Sequence, residues 1–432
     1  MQINSLKPYL FIFIFLFFSL YYFNNLNIHP LHADEHEFIK KAYYYDLFFI
    51  KKDFNNTKWH YNDSPDQPKV GPYIFGMTLH LSGIKNIENK LKDTMFNKVS
   101  PDKTKWWVYW LNKKLENLPS EFLPGFNLIF LGRITSVLFS ISSILLIFVL
   151  FIKTKQVLFG FLASFIIGTH PLIFLFTRRA MTDSMQLFFF ITNLILVYLY
   201  INKFRKSNLK NTLFLSLLLG LNCALGVGVK VSGIMIYFFN SALLLSLIFI
   251  NLKSKIKTSK TIILSFILFT FSFFVSFVFL HPYTHKNTIP QFISMFTDRL
   301  EYADKYRLSH KTTAIYSRQN AAKSIIQNTL LPHGSYTNLN LFWFPIDLIL
   351  FTIGLILMAK RALNSLSTSQ EITIEFLLLL WFVIVTGCLI YYLRNNWPRY
   401  YIPIVVSITL FETYALAKIA KSGYNKIKKY LS

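Results

Sequence analysis

Within seven positions, 32–38, the chain places two imidazoles, His32 and His36, among three carboxylates, Asp34, Glu35 and Glu37, in the stretch "HADEHEF". A carboxylate in such a cluster can take the proton of a hydroxyl or amine nucleophile as it forms a bond. His32 and His36 are four apart, so on a helix they share a face and could reach a metal together with a neighbouring carboxylate. The order of residues is not the H-E-x-x-H pattern of zinc proteases. The imidazoles are therefore read as hydrogen-bonded or solvated groups and no cofactor is expected, with a divalent metal kept as the alternative. The basic partners come from far along the chain. Arg178 and Arg179 stand beside Asp183 in "TRRAMTD", Lys230 lies in "GVGVKVSG", and Arg394 and Arg399 lie in "RNNWPRYYIP". Lysine holds phosphate as a point charge and arginine holds it bidentately.

Each of these stretches borders an apolar block. The chain has 432 residues, of which 53% are hydrophobic, 18% aromatic and only 15% charged. That composition excludes a disordered chain and is unusual for a soluble globule. The apolar residues fall in blocks of about 20, the length that crosses roughly 30 Å of hydrocarbon as a helix. Ten blocks can be counted, at 8–28, 126–152, 156–176, 185–202, 212–229, 231–251, 261–281, 342–359, 372–393 and 400–418. The fold class expected is an all-α polytopic membrane protein with about ten transmembrane helices. The first block lacks a small-x-small cleavage site and is read as a retained helix. Cys223 and Cys388 lie in apolar blocks and are expected to be small core residues, not a disulfide.

The formal charge of +25 raises the question of nucleic acid. Its distribution answers it. With the N-terminus inside, the inner loops are 153–155, 203–211, 252–260 and 360–371. They hold Lys153, Lys155, Lys203, Arg205, Lys206, Lys210, Lys253, Lys255, Lys257, Lys260, Lys360 and Arg361 against the single acid Glu371. Basic residues mark the cytoplasmic side, so much of the charge is an orientation signal and no nucleic-acid partner is expected. Two long segments, 29–125 and 282–341, then lie outside. The first contains "IKNIENKLKDTMFNKV" and "KWWVYWLNKKLENL", whose apolar, aromatic and lysine residues suit helices lying in the headgroup layer. Arg178, Arg179, Lys230, Arg394 and Arg399 fall in short outer loops, where the orientation rule predicts few cations. Such charges at the edge of the hydrocarbon are costly to desolvate. Snorkelling or a local Arg179–Asp183 bridge explains one of them, but five converging on one end suit an anionic lipid headgroup.

The order of these features resembles the GT-C superfamily of polytopic glycosyltransferases, in particular the protein O-mannosyltransferase-like and aminoarabinose-transferase-like members. An acidic pair follows the first helix in "ADEHEF", and a proline motif follows in "DQPKVGPYIFG". An arginine–aspartate element comes in "RRAMTDS", a glycine–lysine element in "GLNCALGVGVKVSG", and an R-Y-x-x-P element in "PRYYIP". The second motif has one proline where a doublet is usual, and His281–Pro282–Tyr283 replaces an Asn-Pro ending.

The resemblance implies a single transmembrane glycosyltransferase domain over 1–432, with the acidic motif in 29–125 and a second outer segment at 282–341. It implies a polyprenyl-phosphate-linked sugar as donor and a glycan, lipid or protein as acceptor. The reaction would be inverting, on the extracytoplasmic side of a bacterial plasma membrane. Asp34 matches the catalytic base and Glu35 its neighbour in the same motif. Lys230 and Arg399 match positions near the lipid phosphate, and Arg179 and Asp183 a pair shaping the vestibule. Glu37, Pro68, Lys69, Arg178, Arg394 and Tyr400 complete the expected substrate contacts. Two other classes are weighed: a lipid or solute transporter or flippase, and a lipid-linked glycan polymerase or ligase. Transporters often show inverted repeats and broken helices at mid-membrane. Neither is visible here, and the unexplained charges lie at one end.

Overall fold

A computed structural model describes residues 3–29, 31–60, 68–92, 123–251, 256–331, 344–368 and 371–431. Helix α1 spans Ile3–Phe23, and α2 (Ala33–Lys40), α3 (Val70–Leu81) and α4 (Ile87–Lys92) follow it before the next long apolar helix. There follow α5 (Leu123–Lys153), α6 (Val157–Thr169), α7 (Pro171–Thr177), α8 (Asp183–Arg205), α9 (Leu209–Val229), α10 (Ile234–Asn251) and α11 (Ile256–Leu280). Then come α12 (Thr288–Ser309) and α13 (Arg318–Thr329), and α14 (Ile346–Thr368), α15 (Ile374–Tyr392) and α16 (Ile402–Leu431) complete the order.

Among the described residues, eight helices are long and apolar enough to cross a membrane, and nine if the bent pair α6–α7 is one span. The expected block at 156–176 is thus not straight: α6 and α7 meet at 63°. Pro171 at the start of α7 has no N–H to continue the ladder, and His170 caps the new helix through Nδ1, which accepts from Leu172 N at 3.2 Å. Residues 346–359 of the block expected at 342–359 belong to α14, but that helix carries Asp347, Lys360 and Arg361 and is not among these spans. Of the two amphipathic pieces expected in the first outer segment, α4 covers the start of one; the tryptophan-rich piece lies outside the described residues.

Lipid supplies little hydrophobic drive between helices, so close packing and interhelical polar contacts hold them together. Helix α9 packs along α11, and α14 along α16. At Gly220 a side chain would strike the Phe269 carbonyl, and at Gly354 the Phe411 carbonyl. Only glycine lets those backbones approach so closely. Asn193 on α8 and Asn240 on α10 exchange amide hydrogen bonds of 3.0 Å in both directions. Cys223 is buried and both cysteines are free.

The bundle has two chemically different ends. At one, Arg205 Nη2 donates to the Ile372 carbonyl at 2.6 Å, Arg361 Nε lies 3.2 Å from Glu375, and Gln156 reaches the same carboxylate at 3.4 Å. These are the loops rich in lysine and arginine. The other end gathers the α1–α2 corner, the 178–183 turn, Lys230, His281 and residues 394–401. The two ends give an orientation test. In spheroplasts, a membrane-impermeant maleimide is expected to label Asn287→Cys, at an exposed position, but not Ser207→Cys. The reverse pattern would invert the orientation.

Candidate active site

The α1–α2 corner is set by local capping. His32 is extended (φ −104°, ψ 142°) and its Nδ1 accepts from Asp34 N at 3.2 Å. Its own N–H donates to Glu35 Oε2 at 3.0 Å, closing a reciprocal cap of the kind that satisfies two orphan donors. Asp34 and Glu35 therefore occupy the first turn of α2, where the helix dipole favours negative charge.

On a helix, neighbours point about 100° apart, and here the two carboxylates meet different worlds. Glu35 is fully buried and so is Arg133 on α5. Arg133 Nε donates to Oε1 and Nη2 to Oε2, both at 2.8 Å, a bidentate fork. Ala180 N adds 2.8 Å to Oε1. Arg133 Nη1 donates to the carbonyls of Leu26 at 2.9 Å and His29 at 2.8 Å. Burial opposes ionisation of Glu35, but the Arg133 charge and hydrogen bonds outweigh it and hold its pKa below the usual range. With both oxygens occupied, Glu35 braces the corner and is not placed to meet substrate, contrary to the expectation that it is catalytic.

Asp34 faces the other way and is 35% exposed. Its carboxylate is paired with Arg399 Nη1, from the opposite end of the chain. Burial pushes the Asp34 pKa up, but Arg399 and then His32 push it down harder, and the net shift is downward. Arg399 and Lys230 both lie against the ring of Tyr400, at 5.7 and 5.8 Å from its centroid. Lys230 Nζ donates to Asp183 Oδ1 at 2.6 Å. The tight turn from α9 into α10 presents this lysine, whose backbone is extended (φ −157°, ψ 133°). Burial lowers the Lys230 pKa while Asp183 opposes. Arg179 lies over Phe176 at 5.0 Å, and its Nε is buried without a hydrogen-bond partner. Among the described residues it forms no ion pair. Burial lowers its pKa, with Glu35, Asp183 and Asp34 among the charges it senses. Asp183 thus pairs with Lys230, not with Arg179 as the local-bridge reading has it, and one guanidinium is left uncommitted.

The remaining expected residues lie elsewhere. Arg178 Nε donates to the Tyr22 carbonyl at 2.9 Å and Nη2 to that of Asn24, clamping the end of α1. Glu37 sits 2.9 Å from His36 Nε2, whose hydrogen bond lowers its pKa. Pro68 and Lys69 are buried at the start of α3, with Lys69 Nζ 4.3 Å from the Tyr44 ring centroid and its N–H 3.5 Å from His281 Nε2. Burial lowers His281 to about 3, so that ring is neutral. Arg394 donates from Nε to Asp304 Oδ1 at 3.0 Å, on α12. Among the described residues no three His, Cys, Asp or Glu side chains converge as a metal site would need, and His32 Nδ1 and His36 Nε2 are turned to local partners.

Two contributors escape the sequence reading. Arg133 is a lone arginine inside the apolar block 126–152, and intramembrane charge is itself a signal of a partner. Arg299 on α12 donates from Nε to Tyr392 OH at 3.0 Å and reaches Tyr400 OH at 3.5 Å, steadying the ring between the two cations. No spacing in the sequence marks it.

Residues 107–285 match the family model described as dolichyl-phosphate-mannose-protein mannosyltransferase. No curated protein matches the chain. Several solved structures share its fold. The archaeal oligosaccharyltransferase AglB from Archaeoglobus fulgidus, in complex with an inhibitory peptide and a dolichol-phosphate, aligns over 98% of this chain and 52% of its own at 11% identity and a TM-score of 0.54. The Archaeoglobus fulgidus oligosaccharyltransferase in complex with Zn and sulfate aligns over 98% and 50% at 11% identity, with a TM-score of 0.55. The same enzyme tethered to an acceptor peptide containing the NVT sequon aligns over 99% and 51%, at 11% identity and 0.54. The chain spans about half the length of these structures. It shares the fold of the part of this archaeal oligosaccharyltransferase that it aligns with.

The Glu35–Arg133 pair should carry much of the integrity of this end. Removing one partner of a fully buried pair leaves an uncompensated charge and typically costs about 3–5 kcal/mol. Glu35→Gln and Arg133→Met are each expected to lower thermal stability in detergent markedly, read by fluorescence-detected size exclusion. The double variant should recover part of the loss. Wild-type melting of both single variants would contradict the bracing role.

Proposed function

We propose that this chain transfers a sugar from a polyprenyl-phosphate-linked donor to a nucleophile on a glycan, lipid or protein acceptor. The reaction takes place at the membrane edge, at the end of the bundle that carries Asp34, on the extracytoplasmic face of a bacterial plasma membrane. The observation that carries this reading is the grouping of one solvent-accessible carboxylate, Asp34, with Arg399, Lys230 and the uncommitted Arg179. The dolichol-phosphate and the acceptor peptides of the archaeal enzyme are in keeping with it.

The resting pairs suggest how binding and chemistry are coupled. Arg399 is held by Asp34, and Lys230 by Asp183. The donor's phosphate diester meets Arg179 first, because that guanidinium has no carboxylate to leave. It then competes for Arg399 and Lys230. Each time Arg399 turns to phosphate, Asp34 loses the neighbour that most depresses its pKa, and the upward push of burial is then opposed mainly by His32 and His36. The carboxylate thereby gains basicity when the donor is in place.

In the transfer, Asp34 takes the proton of the acceptor's O–H or N–H. The freed lone pair bonds the anomeric carbon from the face opposite the leaving group. The carbon–oxygen bond to phosphate breaks, and its electron pair stays on the phosphate oxygen. The added charge on the departing phosphate is met by Lys230, Arg399 and Arg179, already placed before the reaction, which is where such stabilisation is most effective. A phosphate leaving group needs no strong general acid, and direct displacement inverts the sugar centre.

Asp34→Asn keeps the size of the side chain and removes proton acceptance. Turnover of a synthetic polyprenyl-phosphate sugar is expected to fall about 10²–10⁴-fold with donor crosslinking retained; normal turnover would refute the base assignment. The pH profile gives a second check. The ionised form of Asp34 is the active one, and its pKa in the free protein is depressed. The acid limb of kcat/KM, which reports the free enzyme, should therefore lie below about 3.9, the ordinary aspartate value. Arg399→Gln removes the depressing charge, so its limb should move to higher pH in addition to any loss of rate.

A further inference from the structure

Arg394 is drawn away from the Asp34 site, and the place it is drawn to is itself organised. A cavity of about 200 Å³ opens at the same end of the bundle, lined by Arg307, Arg318, Arg394, Tyr316, Ser317 and an apolar floor that includes Leu393. Its walls come from separate segments locked together. Ala314 and Asn395 form an antiparallel bridge, Ile315 N donates to the Arg394 carbonyl at 2.9 Å, and Asn396 N to the Thr313 carbonyl at 2.8 Å. Ser317 caps α13 by accepting from Asn320 N at 3.1 Å, so Arg318 begins a helix whose positive end faces the same space.

The charges around this cavity do not balance. Asp304 is shared by two of the arginines, with Arg394 Nε at 3.0 Å and Arg307 Nη2 at 3.2 Å. Arg318 has no carboxylate among the described residues and lies 5.3 Å from the Tyr391 ring. Arg307 Nε is buried with no hydrogen-bond partner. Among the described residues three guanidinium groups thus stand around one carboxylate that pairs with two of them, and one buried donor is left over. An unmet buried donor is costly, and three planar forks approaching from different segments suit a tetrahedral anion better than one flat carboxylate.

We propose that the Arg307–Arg318–Arg394 cavity is a second anion site that binds a phosphate group, distinct from the donor site around Asp34. The apolar floor fits a phosphate carried on a larger molecule, whether the headgroup of an anionic lipid or a phosphorylated acceptor. From Arg299, which touches Tyr400, to Arg307 is eight residues along α12, about 12 Å at 1.5 Å per residue. A phosphate docked here would anchor its molecule within reach of the Asp34 site. The binding itself does not depend on the glycosyltransferase reading.

The test is arginine-specific labelling of the full chain with phenylglyoxal, mapped by peptide mass spectrometry, in nanodiscs of neutral phosphatidylcholine at constant ionic strength. Adding inorganic phosphate or glycerol 3-phosphate should slow modification of Arg318 several-fold and leave Arg205, at the opposite end, unchanged. Protection by these soluble probes assigns the site to a phosphorylated acceptor. Protection only when phosphatidylglycerol is built into the disc assigns it to a lipid headgroup. Either supports the site. In the Arg307→Gln variant half-protection should need about tenfold more phosphate, as loss of a charge-assisted contact implies, while melting stays near wild type. Equal modification of Arg318 with and without both kinds of phosphate would overturn the proposal, as would undiminished protection in a folded Arg307→Gln, Arg394→Gln double variant.

Discussion

A single buried ion pair holds the working end of this molecule in place. Glu35 and Arg133 are both removed from solvent, and their charges are compensated by a two-bond fork, two backbone N–H groups and two backbone carbonyls. Burying such a pair is affordable only with this degree of satisfaction. In return, one ion pair ties the end of α1, the start of α2, α5 and, through Glu35 and Ala180 N, the turn before α8 into one corner. Every other feature of the site is measured from that corner. Asp34 can point at Arg399 because its neighbour in the sequence is immobilised pointing elsewhere.

The site beyond the corner consists of charges already engaged with one another. Asp34 holds Arg399 and Asp183 holds Lys230, with Tyr400 between the two cations. Such pairing keeps buried charges compensated before any ligand arrives. It also makes the arrangement responsive, since an anion that takes one cation changes the basicity of the carboxylate it leaves. Among the described residues Arg179 stands outside these pairs, with its Nε buried and unpartnered. The folded state thus holds these charges as pairs, in keeping with the proposed transfer of a phosphate-linked sugar.

The helices that carry these groups are held by devices suited to lipid. Gly220 and Gly354 allow close backbone crossings, and the Asn193–Asn240 pair satisfies amides that have no water to turn to. The 63° bend at His170–Pro171 matters for the site as well as for the bundle. It redirects the chain so that α7 delivers Arg178 to the end of α1 and Arg179 toward the acidic residues.

The sequence alone was enough to establish the membrane class, the alternation of basic and mixed ends, and the presence at one end of a carboxylate cluster with Lys230, Arg179 and Arg399. Those conclusions follow from hydropathy and from charges that the orientation rule leaves unexplained, both of which are local properties. It could not say which carboxylate does what. Asp34 and Glu35 are adjacent and chemically alike, and the difference between a buried brace and an accessible base is decided by which face of α2 is covered by α5 and which by the turn before α16. Nor could it pair Asp34 with a residue 365 positions away, or reveal that Arg133 inside an apolar run is compensated. Arg178 and Arg179 are consecutive, yet one closes on backbone carbonyls and the other, among the described residues, lies over the Phe176 ring without an ion pair. Arg394 and Arg399 share a loop, yet Asp304 draws the first into a separate cavity. In each case the residue type was legible, but its role depends on the partner, and partners at such separations are set only when the helices pack.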